Sequence, residues 1–118
     1  MISNIDELAT DAKSSLEYSL EPLRSSQQIT PDFLLDLESQ SRVAFQVTAL
    51  AAKSSDDLDQ IAKHWLALYE LYDLAHDLLE ALSRYRTSYR IDPEHMNRVL
   101  NLLDQLRTRT RRLHDLHA

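Results

Sequence analysis

The chain has 118 residues, with no cysteine, no glycine and three prolines, and its 19 acidic against 13 basic side chains give a formal net charge of −6. That length suits one domain with an ordinary hydrophobic core, and the missing cysteines exclude disulfides, thiolate metal sites and thiol catalysis. The missing glycines exclude dinucleotide fingerprints, phosphate-binding loops and nucleophile elbows, in which backbone approaches a ligand where a Cβ would intrude.

Several helix signals follow in chain order. The first helix is predicted to begin at an Asn4 cap, with Glu7 reaching back and Ile5, Leu8, Ala12, Leu16 and Leu20 on its inner face. Pro22 removes a backbone donor and crowds the preceding turn, so this helix ends or kinks near Leu20. Thr30-Pro31-Asp32 is a cap, a proline at the first helical position and an acid facing the helix dipole. The second helix then runs to about Lys53, burying Phe33, Leu37, Ala44, Val47 and Ala51. Ser54-Ser55-Asp56-Asp57 breaks it and caps the next.

No breaker occurs from Asp56 to Tyr89, which predicts a third helix of about 34 residues and about 50 Å. It carries two apolar seams, one through Leu58, Ile61, Trp65, Leu68, Tyr72, Ala75, Leu79 and Leu82, the other through Ala67, Leu71, Leu74, Leu78, Ala81 and Tyr85. Glu70, Asp73, Asp77 and Glu80 form an acidic face between them. Asp92-Pro93-Glu94 opens a fourth helix whose heptad seam is Met96, Val99, Leu103, Leu106, Thr110, Leu113 and His117. The expected fold is therefore all-α, an antiparallel up-down bundle of four helices in one domain over residues 1–118, with a long hairpin of the third and fourth helices. On these lengths the first helix covers only part of that hairpin, so either the third helix bends back on itself or a second copy of the chain covers the seam in a homodimer.

Charge is segregated. Residues 1–83 carry five basic and fifteen acidic side chains, a balance of −10, whereas residues 84–118 carry eight arginines and four acids, a balance of +4. Arg107, Arg109, Arg111 and Arg112 are candidate anion-binding residues, facing either an external phosphate or the acidic face of the third helix. His114 and His117 share a helical face at zinc-ligand spacing, but the sequence offers no third ligand, so no metal, cofactor or catalytic residue is assigned.

Three short stretches resemble parts of known helical families. Arg109 to His114, and Arg112 to His117, resemble the arginine-histidine motif of HEPN ribonucleases, which implies RNA cleavage by that pair; Leu113 replaces the usual polar residue in the second copy. The segment Leu74 to Glu80 is similar to the phospho-accepting stretch of histidine phosphotransfer domains around His76, with Leu79 and Glu80 where that family carries lysine and glycine. Leu34-Leu35-Asp36-Leu37 with Arg42, and Ile91 to Met96, look like the end helices of helical chorismate mutases, a family that clamps its substrate with arginines. No arginine lies between Lys53 and Arg84 to complete such a clamp.

The expected function is a non-enzymatic protein–protein interaction module, an adaptor, small chaperone or regulatory subunit, binding a protein partner or itself through the hairpin. Its candidate surface is Leu74, Leu78, Tyr85, Tyr89, Met96, Leu103, Leu106 and Leu113. The alternative is a nucleic-acid-binding or HEPN-like ribonuclease protein using the C-terminal arginines and histidines. No run approaches the 18 apolar residues of a membrane span, and the acidic stretch Met1 to Asp11 is no secretory signal, so no membrane contact and a cytoplasmic location are expected.

Overall fold

The computed structural model describes residues 2–25, 29–84 and 92–118, and the described residues are almost wholly helical. The elements are α1 (Ile2–Ser19), α2 (Glu21–Arg24), α3 (Pro31–Ser54), α4 (Leu58–Ser83) and α5 (Pro93–His117). Three expected caps form. Thr30 Oγ1 accepts from the Phe33 N–H at 3.1 Å, Asp57 Oδ1 accepts from the Asp59 and Gln60 N–H groups, and Asp92 Oδ1 accepts from the Glu94 N–H. Each satisfies donors that a helix start leaves without intrahelical partners.

The kink near Leu20 is also present. There α1 gives way to the single turn of α2, with Pro22 in its first turn and Leu23 buried. The bundle is up-down, and its register shows in cross-helix pairs. Ser19 of α1 lies 2.8 Å from Gln40 of α3, the Tyr72 hydroxyl of α4 donates to Ser41 O of α3 at 2.6 Å, and Arg107 of α5 reaches Asp73 of α4. The most extensive packing is within two antiparallel hairpins, α1 with α3 and α4 with α5.

The core runs along all four long helices. Leu16 and Leu20, Leu34 and Leu37, Trp65, Leu68, Tyr72 and Leu79, and Val99 and Leu103 are its large, almost fully buried members. Trp65 packs at a tilt against Phe45, with ring centroids 5.4 Å apart. The heptad seam of the last helix faces inward as its spacing requires: Met96, Val99, Leu103, Leu106 and Thr110 are buried and Leu113 is half-buried. Thr110 sits there without penalty because its hydroxyl is shared between Leu106 O and Arg107 O.

Three expectations are corrected. α1 is already helical at Ile2, so Asn4 lies inside the first turn rather than at a cap; a cap preference is worth about 1 kcal/mol, which an added turn can outweigh. The N-terminal half of its inner face is shifted by one residue: Ala9 and Lys13 are buried and Leu8 is 58% exposed, while Leu16 and Leu20 are buried as expected. The third predicted helix, here α4, ends at Ser83 rather than Tyr89. Ser83 Oγ donates to Glu80 O at 2.6 Å and the Arg84 N–H turns back to Ala81 O, tightening the last turn. Tyr85 to Ile91 lie outside the described residues.

The shorter α4 changes the size relation between helices. α3, α4 and α5 have 24, 26 and 25 residues, so three of the four long helices match in length. The hairpin of α4 and α5 is matched in length by α3, while α1, at 18 residues, remains shorter than both of its helices. None of the helices is long and apolar enough to cross a membrane among the described residues.

Candidate functional site

The proposed interaction surface divides by burial. Met96, Leu103 and Leu106 are buried within the bundle and serve the core; of the three only Leu106 reaches a surface groove, with an 8% exposed edge. Leu74, Leu78 and Leu113 are half-buried against that core. Tyr85 and Tyr89 lie outside the described residues.

The arginine cluster also divides. Arg107 faces inward to α4: Nη1 donates to Asp73 Oδ1 at 2.9 Å, Nη2 donates to Asp104 Oδ1 at 2.8 Å, and Asp77 Oδ1 lies 4.0 Å away. These hydrogen bonds, that to Asp104 foremost, raise its already high pKa against the opposing effect of burial. Of the two readings available from sequence, Arg107 thus takes the intramolecular one. Arg111 and Arg112 are exposed. Arg109 turns toward α3, its guanidinium carbon 4.6 Å from the centre of the Phe45 ring, within cation–π reach.

Arg109 also borders a groove of about 560 Å³ between α3 and α5. Arg42 and Lys53 are the other cations lining it, and Phe45, Leu50 and Leu106 form its apolar floor. No carboxylate lines the groove. Arg42 is held at 3.4 Å from Glu38, which also receives Arg98 at 3.2 Å, so α3 and α5 are pinned beside the groove by one acid between two arginines.

The histidines fall in different settings. His114 Nδ1 lies 3.3 Å from Asp115, and no group of three or more metal-ligating side chains converges among the described residues. His114 does not line the groove that Arg109 borders. His76 lies 3.7 Å from Asp77 and 3.6 Å from Glu80, two carboxylates that would repel a phosphoryl group.

His64 is different: an exposed or edge-packed histidine is the expectation from sequence, but it is buried beside Lys13. Lys13 Nζ lies 2.7 Å from His64 Nδ1, and His64 Nε2 lies 3.1 Å from Asp6 Oδ1. Lys13 is 8% exposed and His64 7%. A carboxylate only accepts, so His64 carries its proton on Nε2 and donates to Asp6, leaving Nδ1 to accept from Lys13. Burial lowers the Lys13 pKa to about 8, against the raising effect of Asp6. Burial lowers His64 as well, followed by the Lys13 charge, with Asp6 opposing both. A sequence signal for this cluster exists: Ala9, Lys13, Leu16 and Leu20 are spaced four, three and four, and His64 lies between Ile61 and Leu68 on the buried stripe of α4.

The chain matches no known protein family, and no curated protein or solved structure matches it.

Proposed function

We propose that the protein is a non-enzymatic binding module that holds an acidic, amphipathic helix of a protein partner in the α3–α5 groove. The observation that carries this reading is the groove's composition: three cations, Arg42, Lys53 and Arg109, around an apolar floor, with no lining carboxylate. An amphipathic helix would lay its apolar stripe on Phe45, Leu50 and Leu106 and present glutamates or aspartates to the rim. Such charge complementarity sets orientation and encounter rate as well as affinity. A cytoplasmic setting fits a cysteine-free chain.

The test is a fluorescence-anisotropy titration with a labelled helical peptide of leucine and glutamate in heptad register. Binding is expected to weaken with added salt. The double variant Lys53→Glu/Arg109→Glu should weaken it by about tenfold or more, since like charges across an interface cost several kcal/mol. Arg111→Gln/Arg112→Gln should change it less than about twofold, because those side chains lie outside the groove. Equal binding by wild type and the Lys53/Arg109 variant would remove the proposal. Salt-dependent RNA binding lost with Arg111 and Arg112 would support the nucleic-acid reading instead. Light scattering belongs in the same experiment: a dimer that separates in the Lys53/Arg109 variant would make a second copy the acidic partner.

A further inference from the structure

We propose that Lys13 is a reactive amine that condenses with small aldehydes or ketones in the cleft between α1 and α4, with His64 as its proton relay and Asp6 orienting His64. This goes beyond the docking role and uses none of the groove residues.

The geometry is that of an activated nucleophile: a nucleophilic group in hydrogen-bond reach of a base, and the base fixed by a third group. Lys13 to His64 is 2.7 Å and His64 to Asp6 is 3.1 Å, across two helices whose facing sides are held by the bundle core. Lys13 and His64 line a cleft of about 540 Å³ whose apolar side is Leu71 and Leu74, half-buried members of the second seam of α4. Besides Lys13, the lining carries two acids, Glu17 and Glu70, and two bases, Arg24 and Lys63. With the charges around Lys13 summing to zero, the free amine meets a small neutral carbonyl compound without a fixed excess charge favouring an ion.

Burial supplies the activation. An ordinary lysine is almost wholly an ammonium at neutral pH, whereas a group brought to about 8 keeps a substantial share of free amine. The remaining ammonium can pass a proton to His64 Nδ1, the resulting imidazolium being held by Asp6. The free amine then adds to the carbonyl carbon; the carbonyl π electrons move to oxygen, which takes the imidazolium proton. The added nitrogen gives one proton back to His64, leaving a neutral carbinolamine. His64 returns that proton to the hydroxyl, which departs as water while the nitrogen lone pair forms the C=N bond. The second nitrogen-bound proton then leaves to solvent, balancing the one first lost from the ammonium. No electrons are gained or lost, and the sum is ammonium plus carbonyl giving imine, water and one proton.

The chain provides its own controls, since it has three lysines: Lys13, Lys53 and Lys63. Lys53 and Lys63 are exposed. The experiment treats the intact protein with butanal at pH 7.5, traps imines with sodium cyanoborohydride and maps the butylated lysines by peptide mass spectrometry over time. Lys13 is expected to be modified about tenfold or more faster than Lys53 and Lys63, with a rate–pH midpoint near the Lys13 value of about 8. His64→Gln and Asp6→Asn should slow Lys13 by about tenfold and leave Lys53 unchanged. The wild-type competition requires no variant to fold. Labelling of Lys13 no faster than Lys53 would overturn the reactive amine, and an undiminished Lys13 rate in His64→Gln would overturn the relay.

Discussion

Lys13 links its protonation to the folding of the whole chain. Its folded value of about 8 lies below the ordinary 10.5, so between those limits the unfolded chain binds more protons than the folded one. Stability from this group therefore rises with pH across that window. Tyr72 works in the opposite sense higher up: burial raises its pKa above the ordinary 10, so the folded state keeps that proton longer and stability falls as pH climbs past 10. The expected profile climbs from pH 8 toward 10 and drops beyond it. Urea unfolding at pH 7.5 and 9.5 should show a wild-type gain of about 1–3 kcal/mol relative to Lys13→Met. An identical pH slope in the two proteins would contradict the assignment.

The same lysine shows why the buried cluster was harder to read than the core. Leu16 and Leu20 fit two stripes along α1, one through Leu8 and Ala12 and one through Ala9 and Lys13. Hydropathy favours the first. The second wins because Lys13 finds His64, fifty-one residues away, and Asp6 beyond it, partners that offset part of the cost of burying a cation. Periodicity along one helix carries no information about a partner on another. The arginines are a similar case. Their basic character was plain, but only the register of α5 on α4 and α3 separates Arg107, tied to Asp73 and Asp104, from Arg109, stacked on Phe45.

Helix starts were far more legible, because a cap is a local event among a few consecutive residues. Thr30, Asp57 and Asp92 each accept backbone donors two or three residues on. Asp57 accepts two, so Asp57→Ala should cost about 1–2 kcal/mol and increase amide exchange at Asp59 and Gln60 without altering α5. Thermal unfolding with hydrogen exchange measures both; unchanged exchange at those two amides would show that the cap is not responsible. Helix ends were less legible. The residues around Ser83 are good helix formers with no proline or glycine to stop them, and at the stop the Ser83 hydroxyl adds a bond to Glu80 O while the Arg84 N–H turns back to Ala81 O. Its effect depends on which rotamer the serine adopts, which composition does not specify.

At the level of the whole molecule the two hairpins share their central contacts. Tyr72 and Trp65 of α4 both engage α3, through Ser41 O and the Phe45 ring, so neither hairpin can open without unpacking the other. Unfolding should be a single transition. Trp65 is the only tryptophan and is 2% exposed, so its fluorescence should follow the same denaturation curve as helical circular dichroism, with midpoints agreeing within about 0.2 M urea. Separate curves would mean that the hairpins fold independently. The all-α bundle itself could be read from the sequence because four amphipathic stripes joined by short connections have few other ways to bury their apolar faces.

A chain without glycine must turn its corners with residues that carry a Cβ. At the described corners the backbone stays in right-handed or extended territory: Leu20 at φ −83°, Ser25 at −89°, Ser55 at −109°, Asp57 at −86° and Arg84 at −73°. Four helix ends carry serine hydroxyls on carbonyls of the preceding turn, Ser19 on Ser15, Ser25 on Glu21, Ser54 on Leu50 and Ser83 on Glu80. No corner among these depends on a mirror-image conformation that only one amino acid tolerates. Helix ends that need no left-handed residue can be moved by single substitutions, so the lengths of these helices are open to gradual adjustment, one residue at a time, without passing through a strained backbone.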